Sequence, residues 1–194
     1  MERLLGFPIP QWIIPKIPGL YQVLADYFAY IWGYLPFPND LPSNLQQELK
    51  KISSGFLLAE IMDRMALKIK CSKQVTPTKE CAAINGQKFY GYSGHDITQI
   101  SLFLGLGYQT FFVPNVGSAA VLELWENVDF NKTAGLVLDD QYYVKIYQYE
   151  TSDVKNPTYI GCPGPKGCPI SYLSTKAELL RPTPNLKSFC QQPL

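Results

Sequence analysis

The stretch KFYGYSGHDITQISLFLGLG, residues 88–107, changes character twice. Lys88–Ser93 alternates aromatic and small residues as a short strand does. Gly94, His95 and Asp96 form a tight turn. Ile97, Ile100, Phe103 and Leu104, with Ser101, then recur at helical spacing, and Gly105 and Gly107 mark the helix end. Strand, turn and helix in that order predict an α/β unit, and in open α/β sheets ligands sit outside the carboxyl ends of the strands. The turn occupies that place. Gly94 allows a close backbone approach, His95 can donate to an anionic oxygen, and Asp96 can give or take a proton. The helix N-terminus favours phosphate. The plainer reading stands beside this one: a lone histidine is commonly structural, and an aspartate opening a helix is commonly its cap. His95 is the only histidine in the chain.

Working outward, residues 1–18 are proline-rich and irregular, and residues 19–33 read as a helix packed on protein. Asp26, Gly33 and Pro36 interrupt the apolar run there, so a membrane span is not expected. LPFPNDLPSN is a turn-rich connection. Ser53 or Ser54 can cap a helix over GFLLAEIMDRMALKI, with Leu57, Leu58, Ile61, Met62, Met65 and Ile69 on one broad face. That face reads as core packing in preference to a lipid groove. AAVLELWE and YYVKIYQYE alternate as strands around a loop carrying the sequon Asn131-Lys132-Thr133. Residues 171–194 offer one short helix, and RPTPNLKSFC reads as an extended tail.

The 194 residues suit one domain, and 17 basic against 16 acidic residues give no basic stripe for nucleic acid. MERLLGFPIPQW meets charges and prolines too early for a signal peptide. Five cysteines are more informative. Cys71 and Cys81 flank one loop, Cys162 and Cys168 another, and Cys190 is left over. With one histidine and no CxxC pair, a zinc site is not indicated. Two local disulfides are expected, hence an oxidising compartment; buried free thiols in a reducing one are the alternative. The Asn131 sequon leans the same way.

Four segments together resemble the histidine acid phosphatases, the prostatic and lysosomal branch of the histidine phosphatase superfamily. YSGHDITQISLFLGLG is similar to their His-Asp motif, and SGFLLAEIMDRM to the helix before it. SAAVLELWEN with YYVKIYQYE resembles the strand pair after it, and GCPGPKGCPI the small C-terminal disulfide loop. The likeness is close over residues 53–190 and loose over 1–52, reaching back to Pro10–Trp12, so residues 1–194 are taken as one partial domain. The resemblance implies a three-layer α/β/α fold with a mixed sheet and helices on both faces, here represented by its C-terminal portion. It implies phosphate monoester hydrolysis through a phosphohistidine, with no metal or organic cofactor. His95 would contact phosphate and Asp96 would be the proton donor. A secreted or lysosomal lumenal location would follow.

The chain also departs from the family pattern. The nucleophile of such enzymes belongs to an Arg-His-Gly motif, and Arg3, Arg64 and Arg181 all lie apart from the one histidine. With His95 in the His-Asp position, no nucleophile is expected in this chain, which is expected to be inactive alone. The resemblance implies a distant upstream partner for Cys190, missing here. Gly94 and Ile97 stand where the family often has alanine and threonine. The central strands that Lys88–Ser93 would pair with are also missing, so the chain is expected to fold poorly alone or to associate through an exposed sheet edge. A non-catalytic binding or interaction remnant of the phosphatase fold is the alternative, and an unrelated extracellular disulfide module a third reading.

Overall fold

The computed structural model describes residues 9–37, 45–108, 111–128, 141–150, 153–155, 166–184, 186–189 and 191. A 3-10 turn, Ile14–Lys16, leads into α1, Ile17–Ile31, with Pro18 in its first turn, where no intrahelical N–H is needed. The expected helix is present, but its expected packing is not. Only Ala29 is buried, while Leu20, Tyr21, Val23, Leu24 and Tyr27 are exposed. No described element lies against those faces closely enough to cover them. The chain is anchored just beyond α1, where the Tyr34 hydroxyl donates to the Ile100 carbonyl at 2.8 Å and burial pushes that phenol well above its ordinary value. No described helix is long and apolar enough to cross a membrane.

Next come α2, Leu45–Lys50, a π turn over Lys51–Gly55, and α3, Phe56–Ser72, without a break. The serines expected as N-caps therefore lie inside a helical run that begins upstream. Ser54 donates to the Lys50 carbonyl at 2.7 Å, the back-bond that lets a buried serine sit within a helix. Leu58 and Met62 are buried, and Leu57, Ile61 and Met65 pack at the margin of the same core. The disulfide Cys71–Cys81 joins α3 to α4, Lys79–Gly86, which Thr78 caps by accepting from the Cys81 N–H at 3.2 Å.

The helix read from the opening stretch is α5, Asp96–Leu106, with Ile100, Phe103, Leu104 and Leu106 buried and Ile97 exposed instead of inward. It ends as expected at Gly107, which takes φ +96°, while the Tyr108 N–H reaches back to the Phe103 carbonyl at 2.9 Å. The alternating runs form β1, Ala119–Glu126, and β2, Tyr142–Glu150, antiparallel over the full register Ala119↔Tyr149 to Glu126↔Tyr142. Short strands β3, Asp153–Lys155, and β4, Cys168–Pro169, pair with β2 at different points, so among the described residues β1 is an open edge. The sheet is antiparallel among the described residues. Helix α6, Ile170–Leu180, follows directly, and a single turn, α7, Leu186–Phe189, occupies part of the tail expected to be wholly extended.

Alternation on β2 directs Tyr142, Val144, Ile146 and Gln148 inward. Val144 and Ile146 meet Leu58 and Met62 of α3, Phe103 and Leu106 of α5, and Leu173 and Ala177 of α6 in one core. The chain is thus an α/β unit, as expected. Its helices approach closely at two glycines. A Cβ on Gly55 would lie 1.9 Å from the Leu180 carbonyl oxygen, and one on Gly105 would lie 2.8 Å from Ser54 Cβ. Arg181 closes this corner, pairing bidentately with Asp63 of α3 at 2.8 and 3.0 Å and also holding Glu178.

Cys168 is disulfide-bonded. Cys162, Cys190 and Asn131, on which the second pairing, the unpaired cysteine and the glycosylation site were expected, lie outside the described residues.

Candidate functional site

Lys88–Ser93 is not a strand. It runs extended and exposed from α4 to α5, and among the described residues no backbone N–H or C=O of residues 88–94 has a hydrogen-bond partner. The alternation predicted a strand, but a strand requires a paired neighbour, and none is adjacent among the described residues. Contacts from α3 hold the segment in place instead. Lys68 Nζ donates to three carbonyls, Ile84 at 2.7 Å and Asn85 and Gln87 at 2.9 Å, which gathers the C-terminal end of α4. Partial burial and then the nearby Lys88 hold this ammonium below its ordinary value. One turn earlier, the Arg64 guanidinium lies 4.7 Å from the Tyr90 ring centroid while bonded to Glu60 at 2.6 Å.

The segment delivers the turn to the start of α5. His95 is the N-cap residue with extended backbone, φ −94° and ψ 172°. Its N–H donates to Thr98 Oγ1 at 3.1 Å, and its carbonyl accepts from the Thr98 N–H at 3.0 Å. This reciprocal pair fixes the backbone on which the imidazole is carried. Asp96 is the first helical residue, not the cap, and its Oδ1 accepts from the Ile97 N–H at 2.7 Å. Both side chains are exposed. Gly94 has an ordinary φ; its requirement is space, since a Cβ there would approach Thr98 Oγ1 to 2.9 Å.

A cleft of about 960 Å³ opens beside this turn. Residues 87–95 line it together with Leu57, Ile61 and Met65 of α3, Gln99 and Leu102 of α5, and residues 118–125 on β1. The apolar stripe of α3 packs as expected, with Leu58 and Met62 in the core and Leu57, Ile61 and Met65 at its margin, where they also line the cleft. Arg64, Lys68, Lys88 and His95 place cationic or donor groups around it, with Glu123 the acid among the lining residues. Gln99 fixes β1 relative to α5, its Nε2 donating to the Ser118 carbonyl and hydroxyl at 3.0 Å each.

The structure places His95 of the expected pair on the lining of the cleft, while Asp96, next in the chain, is not among the lining residues. Sequence reasoning missed Arg64, Lys68 and Gln99, whose roles depend on partners remote in sequence. The i,i+4 spacing of Arg64 and Lys68 on one helix face was the available signal.

The sequence model described as histidine phosphatase superfamily (branch 2) matches residues 19–148. Over 158 residues the chain is 28% identical to the Caenorhabditis elegans protein named "Putative acid phosphatase 11", covering 76% of this chain and 35% of that one. Over 183 residues it is 28% identical to the protein named "Putative acid phosphatase 10" of the same organism, covering 88% of this chain and 43% of that one. The chain thus spans less than half the length of these relatives. No solved structure matches it.

Proposed function

The chain belongs to the histidine phosphatase superfamily, branch 2, and from that premise we propose that its cleft is the phosphate-binding and proton-donating part of an acid phosphatase site. The observation that supports this reading most is the placement of His95 on the lining of a cation-bearing cleft, with Asp96 consecutive and exposed on the N-terminal turn of α5. His95 binds a phosphoryl oxygen, assisted by the partial positive charge of the helix N-terminus. Asp96, protonated, gives its proton to the departing alkoxide oxygen of a small phosphate monoester. As carboxylate it then takes one from the water that attacks phosphorus.

Covalent catalysis would require a second imidazole as nucleophile. The chain has one histidine, so it binds phosphate without turnover by itself; catalysis requires a nucleophile from elsewhere. Residues 53–190 form the main part of this partial domain. The disulfides of Cys71–Cys81 and Cys168 favour an oxidising compartment, secreted or lysosomal.

Two measurements on the purified chain test the reading. Orthophosphate titration should show binding that His95→Asn weakens at least ~10-fold, the value of one charge-assisted contact. Hydrolysis of p-nitrophenyl phosphate at acid pH should be absent, with or without Asp96→Asn. Turnover by the parent that disappears in Asp96→Asn would reveal a nucleophile within these residues and overturn the account of an incomplete site. Phosphate binding indifferent to His95 would overturn the site itself.

A further inference from the structure

We propose that Thr98 is a positioning residue for His95: its hydroxyl fixes the place from which the imidazole reaches a phosphoryl oxygen. The proposal rests on the reading of His95 as a phosphate contact and names what holds that contact in place. The need for such a residue follows from what precedes the turn. Among the described residues no backbone group of residues 88–94 has a hydrogen-bond partner, so the incoming chain does not hold the turn through its backbone. Asp96 does not hold it either, since its Oδ1 accepts from the adjacent Ile97 N–H at 2.7 Å. His95 is therefore held from the helix that follows it.

Three hydrogen bonds do this, and Thr98 makes two of them. Its Oγ1 accepts from the His95 N–H at 3.1 Å, and its N–H donates to the His95 carbonyl at 3.0 Å. The third, from the Gln99 N–H to the same carbonyl, is longer at 3.4 Å. The two backbone donors would be present at any helix start; the hydroxyl would not. It is the contact to the His95 backbone that depends on residue type. Thr98 is also firmly seated. It is half-buried and lines the cleft with His95, and its Oγ1, Cβ and Cγ2 would lie 2.9, 3.0 and 3.0 Å from a Cβ at position 94. A hydroxyl lodged there orients the peptide plane before His95, and with it the direction in which the imidazole leaves the backbone. Ordering completed before binding does not have to be supplied by the ligand.

Orthophosphate is titrated into the whole 194-residue chain by calorimetry. The imidazole Cε1–H signal, single because the chain has one histidine, is followed by proton NMR. Thr98→Val and Thr98→Ala both remove the acceptor. Each should weaken binding ~3–10-fold, the range of one neutral hydrogen bond, and reduce the change in the imidazole signal on adding phosphate. Thr98→Ser keeps the hydroxyl and should bind within ~2-fold of the parent. Ser101→Ala is the control. It removes an α5 hydrogen bond, Ser101 Oγ to the Ile97 carbonyl at 2.8 Å, that does not involve His95, and it should leave the affinity unchanged. Parent-like binding in Thr98→Val and Thr98→Ala would overturn the proposal. So would a Thr98→Ser variant as weak as Thr98→Val, which would mean packing, or an equal loss in Ser101→Ala, which would mean a general loosening of α5. His95→Asn runs alongside. Binding that falls in His95→Asn but in neither Thr98 deletion fails the positioning role alone; binding indifferent to His95→Asn fails the phosphate reading, and the positioning role with it.

Discussion

Gly55→Ala separates local preference from tertiary packing at the corner where three helices meet. Gly55 sits in ordinary helical backbone, φ −63° and ψ −39°, so in isolation alanine would favour the helix by ~1 kcal/mol. The structure opposes this. The added Cβ would stand 1.9 Å from the Leu180 carbonyl oxygen and 2.8 Å from its carbon. An ordinary carbon–oxygen contact is over a full ångström longer, and a backbone oxygen cannot turn aside as a side chain can. The end of α6 must therefore move away from α3, although Arg181 pins it to Asp63. Overpacking of this kind costs ~1–3 kcal/mol or more. We expect a net loss of about 2 kcal/mol, ~4–8 °C in Tm for a chain of this size. Gly19→Ala is the control, because α1 is helical there and nothing lies within 4 Å of the new Cβ; it should gain up to ~1 kcal/mol. Urea and thermal unfolding followed by circular dichroism measure both. A Gly55→Ala variant within ~0.5 kcal/mol of the parent would refute the close packing of α3 on α6.

Three other perturbations bear on neighbouring parts. Replacing Cys71 and Cys81 by serine opens a loop with sequence separation 10, which chain entropy values at about 3 kcal/mol; unfolding of the double variant against the oxidised parent reads this, and an unchanged midpoint would contradict it. Lys68→Met removes the donor shared by the Ile84, Asn85 and Gln87 carbonyls; we expect a loss of about 1–2 kcal/mol and faster proteolysis within 87–95, with cleavage elsewhere unaffected. Arg181→Met removes an ion pair whose partners are largely exposed, so the loss should stay below ~1 kcal/mol and shrink further in high salt.

What could be read from the sequence was what depends on neighbours in the sequence. Helix α5 was legible because Ile100, Phe103 and Leu104 keep one period and Gly107 supplies a left-handed end. The pair β1 and β2 was legible because both runs alternate at strand period, although residues 127–141 separate them. Ser53 and Ser54 misled because a serine that caps a helix and one that back-bonds within it present the same local pattern. Lys88–Ser93 misled for a different reason. Alternation reports an extended backbone, whereas strand identity belongs to the partner, and the nearest candidate edge, β1, lies across the cleft. The apolar composition of α1 predicted burial, but burial requires a surface to pack on.

The candidate site follows the same division. His95 and Asp96 were legible because a turn at a helix start is a local object, and Thr98 completes it within the same turn. The cleft was not, because its walls come from α3, from residues 87–95 and from β1, which only the fold brings together. Its present form also has a physical consequence. An isolated extended segment would sample many conformations, at ~1–2 kcal/mol per residue of backbone entropy. Here Lys68 restrains the start of the segment, Arg64 its middle and the His95–Thr98 pair its end. The turn that carries His95 and Asp96 is therefore held at a fixed place although the segment before it has no paired strand among the described residues, and much of its ordering cost is met before any ligand binds.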